Sequence, residues 1–526
     1  MDLNNATQSS EVGFSLGKEL FRVGLSLLFM ITVTVYVCIS TAPVENYYLL
    51  IVAAVIGGYM ALNIGANDVA NNVGPAVGSK ALTMTGAIAI AAIFEASGAM
   101  IAGGDVVSTI KGSIIDPSKI PDPDTFIWLM MAALLAAAIW LNIATSLNAP
   151  VSTTHSIVGG VLGAGIAAGG FGIANWPVFG EIAASWVISP VLGGLFSAMF
   201  LFLIKRKITY QANMLEAASK IVPLLVSLMV WVFSAYLLMK GLKHVWKVDL
   251  LTAGVIGLVL AIAVFAIIKP RIANISSQLE DSKDSVNALF TVPLIGSAAL
   301  LSFAHGANDV ANAVGPLAAI NETIFQHGVA SKASIPVWIM TVGAAGISIG
   351  LALYGPKLIK TVGSEITELD KMRAFCIAMS AAITVIFASQ LGLPVSSTHT
   401  AVGAVFGVGF LREYLKLSNA KRMEEIRAHH EHDEPEKIAE FLAAFNQADI
   451  DEKGRMLEEL KLQAKLHADD TLLTKKERKS LKKVYRKQLV KRSHLYKIAA
   501  AWIITVPLSG ILAGLLFFTI RGIMLP

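Results

Sequence analysis

Two stretches of this chain place carboxylate and carboxamide oxygens inside apolar sequence. Gly65-Ala66-Asn67-Asp68-Val69-Ala70-Asn71-Asn72-Val73-Gly74-Pro75 follows the apolar run from Tyr47 to Leu62. Gly306-Ala307-Asn308-Asp309-Val310-Ala311-Asn312-Ala313-Val314-Gly315-Pro316 follows the run from Ala288 to Ala304. An ionisable side chain at membrane depth is costly and marks a functional site. On a helix Asn67 and Asn71 share a face, as do Asp68 and Asn71, so their side chains converge. Asn308, Asp309 and Asn312 repeat the arrangement. Each set gathers a carboxylate and several amide carbonyls, hard oxygens that suit a hard cation. Gly65 and Gly74-Pro75 predict breaks in the helix. Such breaks would add freed backbone carbonyls of the kind that coordinate sodium in transporters with broken helices. Helix capping by Asn and Asp is the competing reading, and it accounts for one copy better than for two.

A second motif is also written twice, as Ala149-Pro150-Val151-Ser152-Thr153-Thr154-His155 and as Leu393-Pro394-Val395-Ser396-Ser397-Thr398-His399. Proline favours the first helical position, so Pro150 and Pro394 are predicted to open helices. The free N–H groups of such a first turn, with the hydroxyls of Ser152, Thr153 and Thr154, form an anion cradle backed by the helix dipole. Ser396, Ser397 and Thr398 supply its mirror. Two helix N-termini facing one another would suit a tetrahedral oxyanion. No arginine or lysine lies within either pair of motifs, so bound cations must offset the charge of the anion. Lys80 falls in a turn predicted to face water. His155 and His399 could bond the anion or shuttle protons, but are read as bracing their hairpins. Glu95 is a further intramembrane acid, expected to tune coupling or proton access; its counterpart falls near Gly343, where no carboxylate stands. Asn142, Asn148 and Gln390 are candidate supporting groups.

The two motif pairs recur in the same order at similar spacing, the mark of an internally duplicated transporter. A bilayer core of about 30 Å takes roughly 20 apolar residues per helix. On that ruler the spans are 22–40, 47–64, 85–103, 126–147, 180–204, 221–239, 250–268, 286–304, 336–354, 373–390 and 496–521. The glycine-rich runs 156–170 and 400–411 are too short to cross and are read as parts of helices broken at the Pro-Val-Ser motifs. Broken helices are tolerated only where protein or a water-filled cavity surrounds the freed backbone. Both motif pairs therefore belong inside the bundle. The fold expected is an all-α polytopic membrane protein of two inverted repeats with broken helices or hairpins, about 11–12 transmembrane spans, and a soluble helical insertion.

Composition agrees with this. Of 526 residues 55% are hydrophobic and 15% charged, against about 25% charged in soluble domains. Cys38 and Cys376 both sit in apolar runs, which excludes a disulfide framework and offers no metal-ligand spacing. No cleavable signal is evident, and the first apolar run is read as a membrane helix. Lys205-Arg206-Lys207 and Lys269-Pro270-Arg271 lie at helix ends and should be cytoplasmic. Residues 412–495 form the one long polar insertion, with helical periodicity at Ile438, Phe441, Leu442 and Phe445. Within Lys475 to Lys497, eleven Lys or Arg face the single acid Glu477. That block reads as juxtamembrane anchoring beside anionic lipid; without interleaved aromatics it does not read as a nucleic-acid surface. His429, His430 and His432 read as a solvated loop. No P-loop, metal spacing or nucleophile–base arrangement suggests an enzyme.

Gly-Ala-Asn-Asp-Val-Ala-Asn-Ala with Pro-Val-Ser-Ser-Thr-His, each duplicated, resembles the PiT family of inorganic phosphate transporters over about 47–410 and the last span. The resemblance implies two inverted repeats, sodium-coupled uptake (proton- or metal-phosphate-coupled in some members) and a homodimer. It implies that Asp68, Asn71, Asp309 and Asn312 serve the coupling cation, and that the hydroxyl motifs, with Asn67 and Asn308, hold phosphate. Two departures stand out. Asn72 occupies the position of Ala313, so the two cation sites need not be equivalent, and the insertion carries no motif of the family.

The expected plan is a tail and first helix (1–46), a first transport repeat (47–204), linking helices (205–285), a second repeat (286–411), the insertion (412–495) and a final helix (496–526). The leading function is sodium-coupled symport of inorganic phosphate across a bacterial cytoplasmic (inner) membrane, with no cofactor and no nucleic-acid partner. Its rivals are a proton-coupled or divalent-metal-phosphate carrier on the same scaffold, and a phosphate-sensing membrane receptor.

Overall fold

The computed structural model describes residues 3–41, 47–147, 149, 151–241, 248–326, 335–365, 369–429, 440–445, 455–456 and 492–525. Among these the chain is helical almost throughout, with a single isolated β-bridge between Ile115 and Ala174. That is the expected solution for a chain in lipid, where a helix satisfies its backbone within one segment. α1 (Leu3–Ser40) precedes a first repeat of α2 (Tyr47–Gly78), α3 (Met84–Ala102), α4 (Gly104–Gly112), α5 (Pro123–Ser146), α6 (Thr153–Gly169) and α7 (Trp176–Ile204). α8 (Met214–Gly241) and α9 (Leu250–Ser276) link it to the second repeat. That repeat comprises α10 (Lys283–Leu289), α11 (Thr291–Asp309), α12 (Ala311–Gln326), α13 (Val337–Glu365), α14 (Lys371–Gln390), α15 (Ser397–His429) and α16 (Arg492–Met524). Ten helices are long and apolar enough to cross a membrane, or eleven if the bent pair Lys283–Leu289 and Thr291–Gln326 is one span. The protein is a multi-pass integral membrane protein.

α5 and α6 form a helical hairpin. A Cβ on Gly160 would come 2.9 Å from the Ala133 carbonyl oxygen, so the two legs are in contact. Both hairpins start from an aspartate cap: Asp122 accepts from Thr125 N at 2.7 Å and Asp370 from Arg373 N at 2.9 Å. If α3–α4, α7, α8 and α9 each cross once and the hairpin not at all, α11 enters from the face opposite to α2. On that crossing pattern the repeats are inverted.

The expected break at Gly65 is not found. α2 runs unbroken from Tyr47 to Gly78 with Pro75 inside it. In the second copy only Val310 interrupts the helix, and it keeps helical dihedrals. The Gly-Ala-Asn-Asp glycines serve close packing instead. A Cβ on Gly65 would strike the Ile347 carbonyl of α13, and one on Gly350 the Leu62 carbonyl of α2. Gly306 meets the Glu95 carbonyl of α3, and Gly98 the Phe303 carbonyl of α11, in the same way. Each motif helix thus crosses a helix of the other repeat, and the glycines let the backbones touch.

The closing helices are exchanged as well. α16, from the end of the chain, packs on α6: a Cβ on Gly159 would lie 2.6 Å from the Val506 carbonyl oxygen, and Gly163 abuts Gly510. α7 packs on α15, where Gly403 abuts Pro190, Gly407 abuts Gly194, and Ser197 donates to the Ala404 carbonyl at 2.7 Å.

Residues Gly409–Val490 form a second compact unit. In it 440–445 are helical, with Phe441 and Phe445 stacked and Leu442 and Phe445 buried. Most of the 412–495 insertion, including the basic block up to residue 491, together with His430 and His432, lies outside the described residues.

Candidate functional site

The hairpin tips carry the hydroxyl motifs. The helices open three residues later than the prolines suggested, at Thr153 and Ser397. Pro394 lies in the irregular segment before its helix; Pro150 and Asn148 lie outside the described residues. The difference has a physical cause: Ser152 and Ser396 are the N-caps. Each side-chain oxygen accepts from the backbone N–H three residues on, His155 and His399, at 3.1 Å in both copies. A cap satisfies one amide of the first turn and leaves those of the next two residues directed out of the helix end. These are Thr153 and Thr154 in one copy, Ser397 and Thr398 in the other. The two tips touch, since Thr154 Oγ1 donates to the Val395 carbonyl at 3.0 Å. Two positive helix ends therefore meet in one buried place.

The motif helices supply the oxygens behind them. Thr398 Oγ1 donates to Asp68 Oδ1 at 2.9 Å, and Asn71 Nδ2 donates to Thr398 Oγ1 at 2.9 Å. Ser397 donates to Asp309 Oδ2 at 2.7 Å, and Asn312 Nδ2 approaches Thr153 and Thr154 Oγ1 at 3.1 and 3.3 Å. Each repeat's second asparagine thus holds the other repeat's hydroxyls. Asn67 and Asn308 bond within their own repeats. In the amide orientation that satisfies both ends, Asn67 donates to Asp68 Oδ1 and Val151 O while accepting from Thr145; Asn308 donates to Asp309 Oδ1 and Val395 O while accepting from Ser389. All of these motif side chains are buried.

His305 joins the two acids and was not singled out from sequence. Its Nε2 lies 2.9 Å from Asp309 Oδ2 and 3.7 Å from Asp68 Oδ2, while Nδ1 lies 3.3 Å from Glu95 Oε2. Ligand atoms of Asp68, His305 and Asp309 all fall within 4.8 Å of one another. Glu95 Oε1 accepts from Asn72 at 2.7 Å. The signal was present in the spacing of His305 and Asp309, which share a helix face. It was hidden because the other copy has Ile64 in the same place. Thr145 and Ser389 were likewise missed, each a hydroxyl near the end of an apolar run.

The mirror position of Glu95 is Ile347 rather than the neighbourhood of Gly343. The Glu95 carbonyl abuts Gly306 as the Ile347 carbonyl abuts Gly65. The polar group Asn72, Glu95 and His305 is therefore matched at the other crossing by Ala313, Ile347 and Ile64. One crossing is charged and its mirror image is apolar. Three carboxylates share this buried place with one imidazole, a set of groups that a cation would suit. Asp68 Oδ2 and Asn312 Oδ1 are buried acceptors without a hydrogen-bond donor among the described residues.

Other candidates stand apart. His155 and His399 face each other with ring centroids 4.2 Å apart, flanked by Trp186 at 3.8 Å and Trp502 at 3.6 Å. The His155 ring is tilted against Trp186 of α7, and the His399 ring stacks on Trp502 of α16. Asn142 donates to Asn63 at 3.3 Å. Gln390 ends α14 at the tip of the second hairpin. Lys80 is exposed, with φ +60° in the turn after α2.

The sequence profile described as the phosphate transporter family matches residues 64–513. A candidate phosphate permease of Helicobacter pylori strain J99 is 54% identical over 524 residues, 98% of each chain. One from Pyrococcus horikoshii is 40% identical over 373 residues, covering 70% of this chain and 90% of its own length. A solved structure titled as the sodium-dependent phosphate transporter superposes with a TM-score of 0.73 at 31% identity, covering 91% of this chain and 100% of its own.

Proposed function

The chain belongs to the phosphate transporter family, and from that premise we propose that it carries inorganic phosphate into the cell by sodium-coupled symport. It is a transporter and not an enzyme. Phosphate sits between the tips of the two hairpins. The outward amides of Thr153, Thr154, Ser397 and Thr398 receive it, with their hydroxyls and those of Ser152 and Ser396 as further donors. Sodium is held by Asp68 and Asp309, with Asn71, Asn312 and His305 around them.

One observation supports obligatory coupling. A hydroxyl has a single proton to donate. Those of Thr398 and Ser397 are directed at Asp68 and Asp309, 2.9 and 2.7 Å away. To reach a phosphate oxygen they must turn away, leaving a buried carboxylate one donor short, which is costly. A sodium ion at the carboxylate removes that cost. Cation binding therefore releases the hydroxyls for the anion, and either ligand alone is held poorly. Because the repeats are inverted, the same tips can face either side in turn. The basic ends of α7 and α9 would lie in the cytoplasm, with the protein in a bacterial inner membrane.

The test is labelled phosphate uptake into proteoliposomes with sodium and proton gradients imposed one at a time. Uptake that needs an inward sodium gradient and vanishes in choline supports the reading. Uptake driven by a proton gradient without sodium would replace it with a proton-coupled carrier. Binding without net flux would replace it with a sensor.

A further inference from the structure

We infer that Lys240, on a helix outside both repeats, is a positioning residue for the phosphate cradle of the second repeat, acting through Asp105 and the short helix α4. The inference rests on the phosphate site proposed above. α3 and α4 together occupy the length that α13 covers as one unbroken helix. The interruption falls at Gly103, where a Cβ would sit 2.6 Å from Val310 Cγ1, at the turn between α11 and α12. α4 lies against the tip of the second hairpin, immediately before Pro394-Val395-Ser396-Ser397-Thr398. Thr109 Oγ1 donates to the Gly392 carbonyl at 2.8 Å, and Gly392 itself turns the chain with φ +70°.

Each end of α4 is tied by an ion pair. Lys111 pairs with Glu322 of α12, and Lys240 of α8 pairs with Asp105 in the first turn. The second pair matters for the cradle because the Lys240 ammonium also lies 3.5 Å from the Gln390 carbonyl. One buried cation thus faces the α4 carboxylate and the backbone of the tip together. Five residues farther on, the chain is fixed again by the Val395 carbonyl, which accepts from Thr154. Between these anchors lies the segment that sets where Ser396, Ser397 and Thr398 open their helix. Without the ammonium, α4 and the tip lose a shared contact. The cradle then loosens while Asp68 and Asp309, carried on α2 and α11, keep their places and their contacts with Asn67, Asn308 and His305. Asp105 keeps 34% of its side-chain surface exposed, so water can solvate it when Lys240 is replaced.

The test compares uptake kinetics of full-length wild type, Lys240→Met, Lys240→Arg, and Lys240→Asp combined with Asp105→Lys, each normalised to inserted protein. We expect Lys240→Met to raise the phosphate KM about tenfold or more, with maximal rate, and sodium half-saturation measured at saturating phosphate, within about twofold of wild type. Lys240→Arg and the charge exchange should recover most of the affinity. An unchanged KM in Lys240→Met overturns the inference, as does a parallel fall of rate and affinity for both ions, or a failure of both rescues. A wild type without saturable phosphate uptake overturns the functional reading itself, and this inference with it.

Discussion

Thr398 Oγ1 donates to Asp68 Oδ1 at 2.9 Å, linking a hydroxyl at a helix N-terminus in one repeat to a carboxylate in the other, 330 residues away. The same oxygen accepts from Asn71. A group that can serve the anion is thus already committed to the side chain that serves the cation.

If that commitment couples the two ions, Thr398→Val should lower phosphate affinity by about tenfold, the scale of a hydrogen bond to a charged group. It should also flatten the dependence of phosphate affinity on sodium. Asp68→Asn and Asp309→Asn should each reduce coupled uptake by at least about tenfold, because each removes a full charge from the cation cluster. Initial uptake rates over a grid of sodium and phosphate concentrations decide this. Near-wild-type transport with unchanged sodium dependence in an aspartate variant would remove that acid from the cation site.

The charged crossing invites a symmetrisation. Replacing Asn72, Glu95 and His305 together with Ala, Ile and Ile copies the apolar crossing already built from Ala313, Ile347 and Ile64. Removing one partner of a buried polar cluster costs about 3–5 kcal/mol, whereas replacing the whole cluster by apolar groups is often neutral. The triple variant should therefore melt closer to wild type than His305→Ile or Glu95→Ile alone. Its uptake should lose sodium dependence or fail. Thermal unfolding in detergent, with uptake on the same preparations, tests both halves. Singles more stable than the triple would show that the polar group is not one unit.

The crossing glycines predict stability rather than chemistry. Gly65→Ala and Gly306→Ala place a methyl against a carbonyl of the opposing helix. Each should cost about 2 kcal/mol or more, in the range for overpacking a tight contact. Gly254→Ala, where a Cβ would meet nothing within 4 Å, should be neutral or slightly stabilising. Melting temperatures of the three variants are the measurement. Equal melting of all three would return the motif glycines to a role in helix geometry.

The site should distinguish oxyanions by their protons. Phosphate and arsenate keep at least one proton at neutral pH and can donate it to Asp68, Asp309 or an amide oxygen. Sulfate has none to offer and meets those oxygens as unrelieved repulsion. Arsenate should compete with labelled phosphate, and sulfate at similar concentration should not. Equal inhibition by both would make the cradle a general oxyanion site.

Much of this arrangement can be read from the chain, and the rest fails for physical reasons. Duplication announces itself because two polar motifs recur in apolar surroundings, and their side-chain convergence follows from helix periodicity alone. Gly65 is ambiguous, since a glycine in an apolar helix permits either a break or a close crossing, and only the partner helix decides. Pro394 misleads by three residues because Ser396 outcompetes it for the cap. His305 and Glu95 escape any argument from the repeat, being the very places where the copies differ. Nor does periodicity record which helix lies opposite, so the Glu95 counterpart must be found from contacts.

The exchange of closing helices constrains how the protein can be made. The first hairpin leaves the ribosome early, but α16, which covers it, is synthesised last. Until translation ends, the glycine face of α6 and the ring of His399 lack their cover of Val506, Gly510 and Trp502. A nascent chain stalled in the insertion would hold a half-built transporter that cannot close on itself. Membrane insertion must keep that groove in waiting, and a chain shortened before Arg492 would expose the same surface to membrane proteases.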